Sequence, residues 1–180
     1  VASLRSATST AAAHHTISHD APGVASARAW RKDVDHLRTL EASGHVASVI
    51  EYSAAMNACR EAGEWRCCEL LLQRARQRSI TPLVDLYAIA IGACDDAGQP
   101  EDGVRLYEQG VEEGTFSHWH AEEPFSLDLH GFSQPCAASA VRYVLQRELA
   151  NYIPSDLKII TGRGSHSADG VSRLLPRIEK

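Results

Sequence analysis

The chain has 180 residues, 44% hydrophobic and 23% charged, with 18 basic against 23 acidic side chains and a net charge of −5 at pH 7. That composition excludes collagen-like, fibrous and wholly disordered chains, and the negative balance argues against indiscriminate electrostatic adhesion to nucleic acid, so any such binding must be local. No apolar run approaches the roughly 18 residues of a membrane-spanning helix, so no membrane partner is expected.

Residues 1–27 are rich in Ala, Ser, Thr and His, carry no acid before Asp20, and have one early base, Arg5. They predict a disordered segment or linker with no core of its own. The acid-poor, Ser- and Ala-rich composition is similar to an organelle transit segment. The opening Val and the single methionine, Met56, read as a piece excised from a longer chain.

A helix is predicted over 27–40, where Trp30, Val34, Leu37 and Leu40 recur on one face until Ser43 and Gly44 end it. An internal repeat follows. Tyr52, Ala55, Ala58, Cys59, Ala62, Gly63 and Leu71 recur 35 positions later as Tyr87, Ala90, Ala93, Cys94, Ala97, Gly98 and Leu106. Each copy holds a first helical stretch, a breaking glycine and a second helical stretch, which together predict a helix-turn-helix hairpin. Pro82 falls in the joint between copies, and Pro100 falls where a helix begins and needs no backbone donor.

The five cysteines, Cys59, Cys67, Cys68, Cys94 and Cys136, form no Cys-x-x-Cys pair. A disulfide framework or structural zinc is therefore not expected, and a reducing intracellular compartment fits better. Cys59 and Cys94 read as small hydrophobes on a small-residue face, and Trp65, Cys67 and Cys68 as packing residues at a helix start.

A linker is expected over 119–126. It contains His120, which with His118 makes a two-apart histidine pair lacking evident further metal ligands. Residues 125–129 then alternate as a strand, with Leu127 and Leu129 on one face and Asp128 and His130 on the other, before Gly131 turns the chain. An amphipathic helix over 135–150 lines up Ala137, Ala140, Val141, Val144, Leu145 and Leu149. A second short strand over 157–160 runs into Thr161, Gly162, Arg163, Gly164, Ser165, His166 and Ser167, followed by a helical pattern of Val171, Leu174, Leu175 and Ile178. Two glycines, a guanidinium and a helix N-terminus suit a phosphate. The loop lacks the Gly-Lys-Ser/Thr ending of a nucleotide P-loop and the full dinucleotide fingerprint. A plain helix entrance capped by Ser167 is the alternative.

The 35-residue period and hairpin layout resemble the pentatricopeptide repeat (PPR). In that family such hairpins stack into an α-solenoid that binds single-stranded RNA at about one base per repeat. The resemblance places copies at 49–83 and 84–118 and makes 28–48 the remnant of a degenerate preceding copy. It implies base reading by Ser53 with Leu83 and by Ala88 with His118. Only Ser53 suits the usual polar pairing, and residues 49–118 hold six arginines against twelve carboxylates. Locally, the residues themselves favour a packing and spacing scaffold over base readout.

Leu127, Asp128, Leu129, His130 and Gly131 in succession, then a helix, then Thr161, Gly162, Arg163 and Gly164 closing on His166 and Ser167, resemble the two signatures of the Small MutS-Related (SMR) domain. The likeness covers 127–180 and implies a small α/β sandwich associated with nicking or endonucleolytic cleavage of nucleic acid. Lys180 precedes the final strands that family would supply, and Pro176 interrupts the last helix, so the domain is expected to be incomplete. The expected fold is therefore α plus α/β: solenoid hairpins followed by a truncated sandwich. Repeats joined to such a domain are similar to a plant and algal organellar arrangement, which points to the chloroplast or mitochondrion.

In this scheme His130 is the general base, and Asp128 orients it or holds a divalent cation. Arg163 and the amides of Gly162, Gly164 and Ser165 stabilise the phosphate within a loop bounded by Thr161 and Ser167, with His166 as acid. Structural hydrogen bonding at a strand end is the plain alternative for Asp128 and His130, and is the favoured one for His166. Residues 127–180 carry seven bases and five acids, a modest positive balance. The expected protein binds organellar single-stranded RNA and cleaves or nicks it, with DNA as the second candidate substrate. A noncatalytic RNA-binding module and a protein-interaction scaffold are the alternatives.

Overall fold

The computed structural model describes residues 22–151, 154 and 156–161. Its elements are α1 (Pro22–Ala42), α2 (Val49–Glu61), α3 (Trp65–Gln77), α4 (Val84–Asp96), α5 (Pro100–Glu112), β1 (Ser126–Asp128), α6 (Gln134–Tyr143) and β2 (Lys158–Ile160), with a π-helical turn, Val144–Glu148, continuing α6. The molecule is mostly helical, with a two-stranded parallel sheet among the described residues. The predicted helix over 171–178 lies outside the described residues, and the described part shows no wider sandwich.

Helices α2 and α3, and then α4 and α5, form two hairpins whose four boundaries are each displaced by 35 residues. The turn chemistry repeats as well. Gly63 and Gly98 take φ of +75° and +66°, the left-handed region that favours glycine. The next amide in each case reaches back to a carbonyl in the last helical turn, Glu64 to Cys59 at 2.9 Å and Gln99 to Cys94 at 2.8 Å. Pro100 opens α5 at a position that needs no donor. Helix α2 packs on α1, α3 and α4, and α4 on α3 and α5.

Three expectations are corrected. First, α1 begins at Pro22 and so reaches into the stretch expected as linker. Second, 119–126 is not a free connection. Trp119 bridges Leu127 in antiparallel fashion, His120 N–H donates to the Ser126 carbonyl at 2.8 Å, and Asp128 N–H donates to the His118 carbonyl at 2.7 Å. The segment is drawn back because Phe116 stacks on Tyr107 at 4.9 Å and His118 is buried beside the same ring. Third, Leu145 is exposed, not part of the buried face. The π-turn inserts a residue, closing with Leu149 N–H on the Val144 carbonyl at 2.8 Å, and rotates the side chains after it by about 100°. Leu149 is thereby returned to the interior.

One continuous core runs from Leu37 through Tyr52, Tyr87 and Tyr107 to Leu127, Ala140 and Leu149. Helix α6 lies against α4 and α5, next to the second hairpin. The approach to α5 is close at Gly103, where a Cβ would come within 3.1 Å of Ser139 Oγ. Large side chains buried this fully contribute about 1.5–3 kcal/mol each, so the C-terminal unit is held mainly by this shared apolar surface.

Candidate functional site

The site grows from the pleat of β1. Leu127 and Leu129 are fully buried, and strand alternation turns Asp128 and His130 to the opposite side. Strands β1 and β2 run parallel with Ser126 opposite Lys158, Leu127 opposite Ile159 and Asp128 opposite Ile160. Leu129 N–H extends the ladder to the Ile160 carbonyl at 2.9 Å. Parallel neighbours end on the same side, so the turn carrying His130 and the chain leaving β2 through Thr161 emerge at one sheet edge. Open parallel sheets place ligands at such carboxyl ends.

His130 Nδ1 lies 2.5 Å from Asp128 Oδ1, and the His130 backbone N–H donates to the same oxygen at 3.1 Å. The imidazole is otherwise open, with 72% of its side chain exposed. The hydrogen bond from His130 holds the Asp128 carboxyl below the usual aspartate range, against an opposing push from burial, and His120 adds a weaker favourable charge. With Nδ1 engaged by the carboxylate, Nε2 is the ring nitrogen left to meet a ligand. Lys158 pairs with Glu123 at 2.6 Å across the same part of the surface.

Of the residues named for phosphate binding, Thr161 sits directly after β2, while Gly162, Arg163, Gly164, Ser165, His166 and Ser167 lie outside the described residues. The residues named for base reading belong to the helical part. Ser53 and Ala88 occupy equivalent positions in α2 and α4, immediately after the buried Tyr52 and Tyr87. Ala88 and Leu83, the latter at the N-cap of α4, are partly buried against the core. His118, the remaining residue named for base reading, lies inside the fold. It is 3% exposed, its Nδ1 lies 3.1 Å from the Tyr107 hydroxyl and its Nε2 lies 3.3 Å from Glu148. Both nitrogens are committed internally.

Among the described residues no group of three or more His, Cys, Asp or Glu side chains could hold a metal ion. Two features escaped sequence reasoning: the proximity of His120 to Asp128, and the thiol contact of Cys59 with Cys67 at 3.0 Å. The alternation of His118, Trp119 and His120 was a readable strand signal for the first, obscured by the acidic, proline-containing stretch after it. No family model, curated protein or solved structure matches the chain.

Proposed function

We propose that the protein handles single-stranded RNA in an organelle, its hairpins acting as pentatricopeptide-type spacers and its sheet edge as an SMR-type site that attacks the phosphodiester. The observation that carries this reading is the Asp128 and His130 pair at 2.5 Å, on the strand end beside Thr161. Asp128 orients the ring and favours its Nδ1–H tautomer. Nε2 then takes the proton from a ribose 2′-hydroxyl or a water as that oxygen attacks phosphorus. Arg163 and the amides of Gly162, Gly164 and Ser165 are the groups for charge developing on the phosphate, and His166 is the acid for the leaving oxygen. The twelve carboxylates over 49–118 and the enclosed His118 favour hairpins that position the site without reading bases themselves.

Labelled single-stranded RNA incubated with the parent protein, His130→Ala and Arg163→Ala tests the proposal. Cleavage by the parent, lost in both variants, is expected. Salt-sensitive binding without cleavage in the parent identifies a noncatalytic module instead, and no binding even at low salt leaves a scaffold.

A further inference from the structure

Cys59 lies in the last turn of α2 and Cys67 in the first turn of α3, across the turn at Gly63. Their sulfurs are 3.0 Å apart. A disulfide bond is about 2.05 Å long, so about 1 Å of closure joins them, within reach of small side-chain rotations. Cys59 is buried, whereas Cys67 is half-buried and lines a groove of about 500 Å³ between α1 and α3. Val34, Leu70 and Leu71 give this groove apolar walls, and Arg38, Arg74 and Arg78 crowd its rim. Arg74 and Arg78 pair with Glu41, while Arg38 is two-thirds exposed and only 3.9 Å from its nearest carboxylate, Asp35. Arg38, the guanidinium of the three that is not tied to Glu41, gives the groove a positive point suited to a small anionic thiol reagent, whereas the charge nearest in effect to the Cys67 thiol itself is the Glu64 carboxylate.

We infer that Cys59 and Cys67 form a reversible dithiol–disulfide pair, oxidised through this groove by a small anionic disulfide of the glutathione class. Cys67 gives up its proton and attacks one sulfur of the reagent, forming a mixed disulfide and expelling one thiolate. Cys59 gives up its proton and attacks Cys67 Sγ, forming the internal disulfide and expelling the second thiolate. The two protein thiols lose two electrons, the reagent becomes two thiols, and the two protons end on them. The contact with Cys59, then burial and the Glu64 carboxylate, push the Cys67 thiol up, and the Cys59 thiol is raised as well, its hydrogen bond with Cys67 outweighed by the contact with Cys68 and by burial, so both attacks are slow. Cys68 also contacts Cys59, but it is fully buried and its thiol donates to the Met56 carbonyl at 3.2 Å, so it competes poorly for the reagent and Cys68→Ser is the variant that separates the two partners.

The test uses the full chain treated with oxidised glutathione, alkylated, and digested with trypsin. Cleavage after Arg60 and Arg66 puts Cys59 and Cys67 on separate peptides, so the bond is read by mass spectrometry as a cross-linked pair that dithiothreitol releases. The cross-link is expected in the parent and in Cys68→Ser, and is expected to vanish in Cys59→Ser and Cys67→Ser. Should Cys59→Ser lose helicity, the half-buried Cys67→Ser carries the comparison. A glutathione adduct on Cys67 that never resolves, or a cross-link surviving in Cys67→Ser, overturns the pair. Arg38→Glu is expected to slow the reaction with oxidised glutathione several-fold while sparing that with neutral bis(2-hydroxyethyl) disulfide. Equal rates for both reagents overturn the groove as the route.

Discussion

The His118 imidazole touches Tyr107 through one nitrogen and Glu148 through the other, and Trp119 Nε1 donates to the same carboxylate at 2.8 Å. Truncating a ring so enclosed leaves a cavity and strands two polar partners. We predict that His118→Ala costs about 2–4 kcal/mol by urea unfolding and leaves any RNA base preference unchanged; a shifted preference at parental stability would restore His118 as a reader. Asp128 gives a pH prediction. Its carboxyl titrates lower in the folded protein than its ordinary value of 3.8, so its contribution is present above that value and is lost as the pH falls through the folded one. For a partly exposed pair that contribution is under about 1 kcal/mol. Asp128→Asn should flatten this acid limb of the stability curve, while parental behaviour would mean the carboxylate is unpaired in solution. Alternation made Asp128 and His130 legible in the sequence, because a period of two is a local property. The fate of His118 was not legible, since it depends on Glu148, thirty positions away.

At the level of helices, the two hairpins use the same clamp with opposite polarity. Around Tyr52, Glu41 of α1 binds the hydroxyl at 2.6 Å and takes Arg78, at 3.1 Å, from the end of α3. Around Tyr87, Glu113 after α5 binds the hydroxyl at 2.7 Å and pairs with Arg76 of α3. Positions 41 and 76 are 35 apart, as are 78 and 113, so acid and base have exchanged places between the copies. We predict that Arg76→Glu destabilises the fold and that adding Glu113→Arg recovers about 1 kcal/mol, the second hairpin then copying the first; additive losses in the double-mutant cycle would refute the exchange. Helix α5 supplies another test at Gly110, where a Cβ would come within 2.5 Å of the Phe116 ring. Gly110→Ala should cost about 1–3 kcal/mol through displacement of that ring, measurable as a lowered Tm. The repeat and its glycine-ended turns were plain in the sequence because identical residues recur at a fixed offset. The inverted clamp was hidden because no identity marks it.

Across the whole molecule, the core passes from the hairpins into the sheet without interruption. Tyr107 meets Phe116, Phe132, His118 and Tyr143, rings drawn from both sides of the expected domain boundary. We predict one cooperative unfolding transition, and loss of the sheet when the chain is cut after residue 118. Two resolved transitions, or a folded fragment beginning at 119, would show separable domains. The sequence suggested a linker here because Glu122, Glu123 and Pro124 interrupt the pattern; what closes the gap is aromatic contact, which no local spacing records. Because α6 rests on α4 and α5, no swivel separates the edge bearing His130 from the array of helices. Under the RNA reading proposed above, this packing would act as a yardstick: a nucleic-acid strand gripped at one place on the helices would meet the imidazole at a constant arc length, whatever letters lay between.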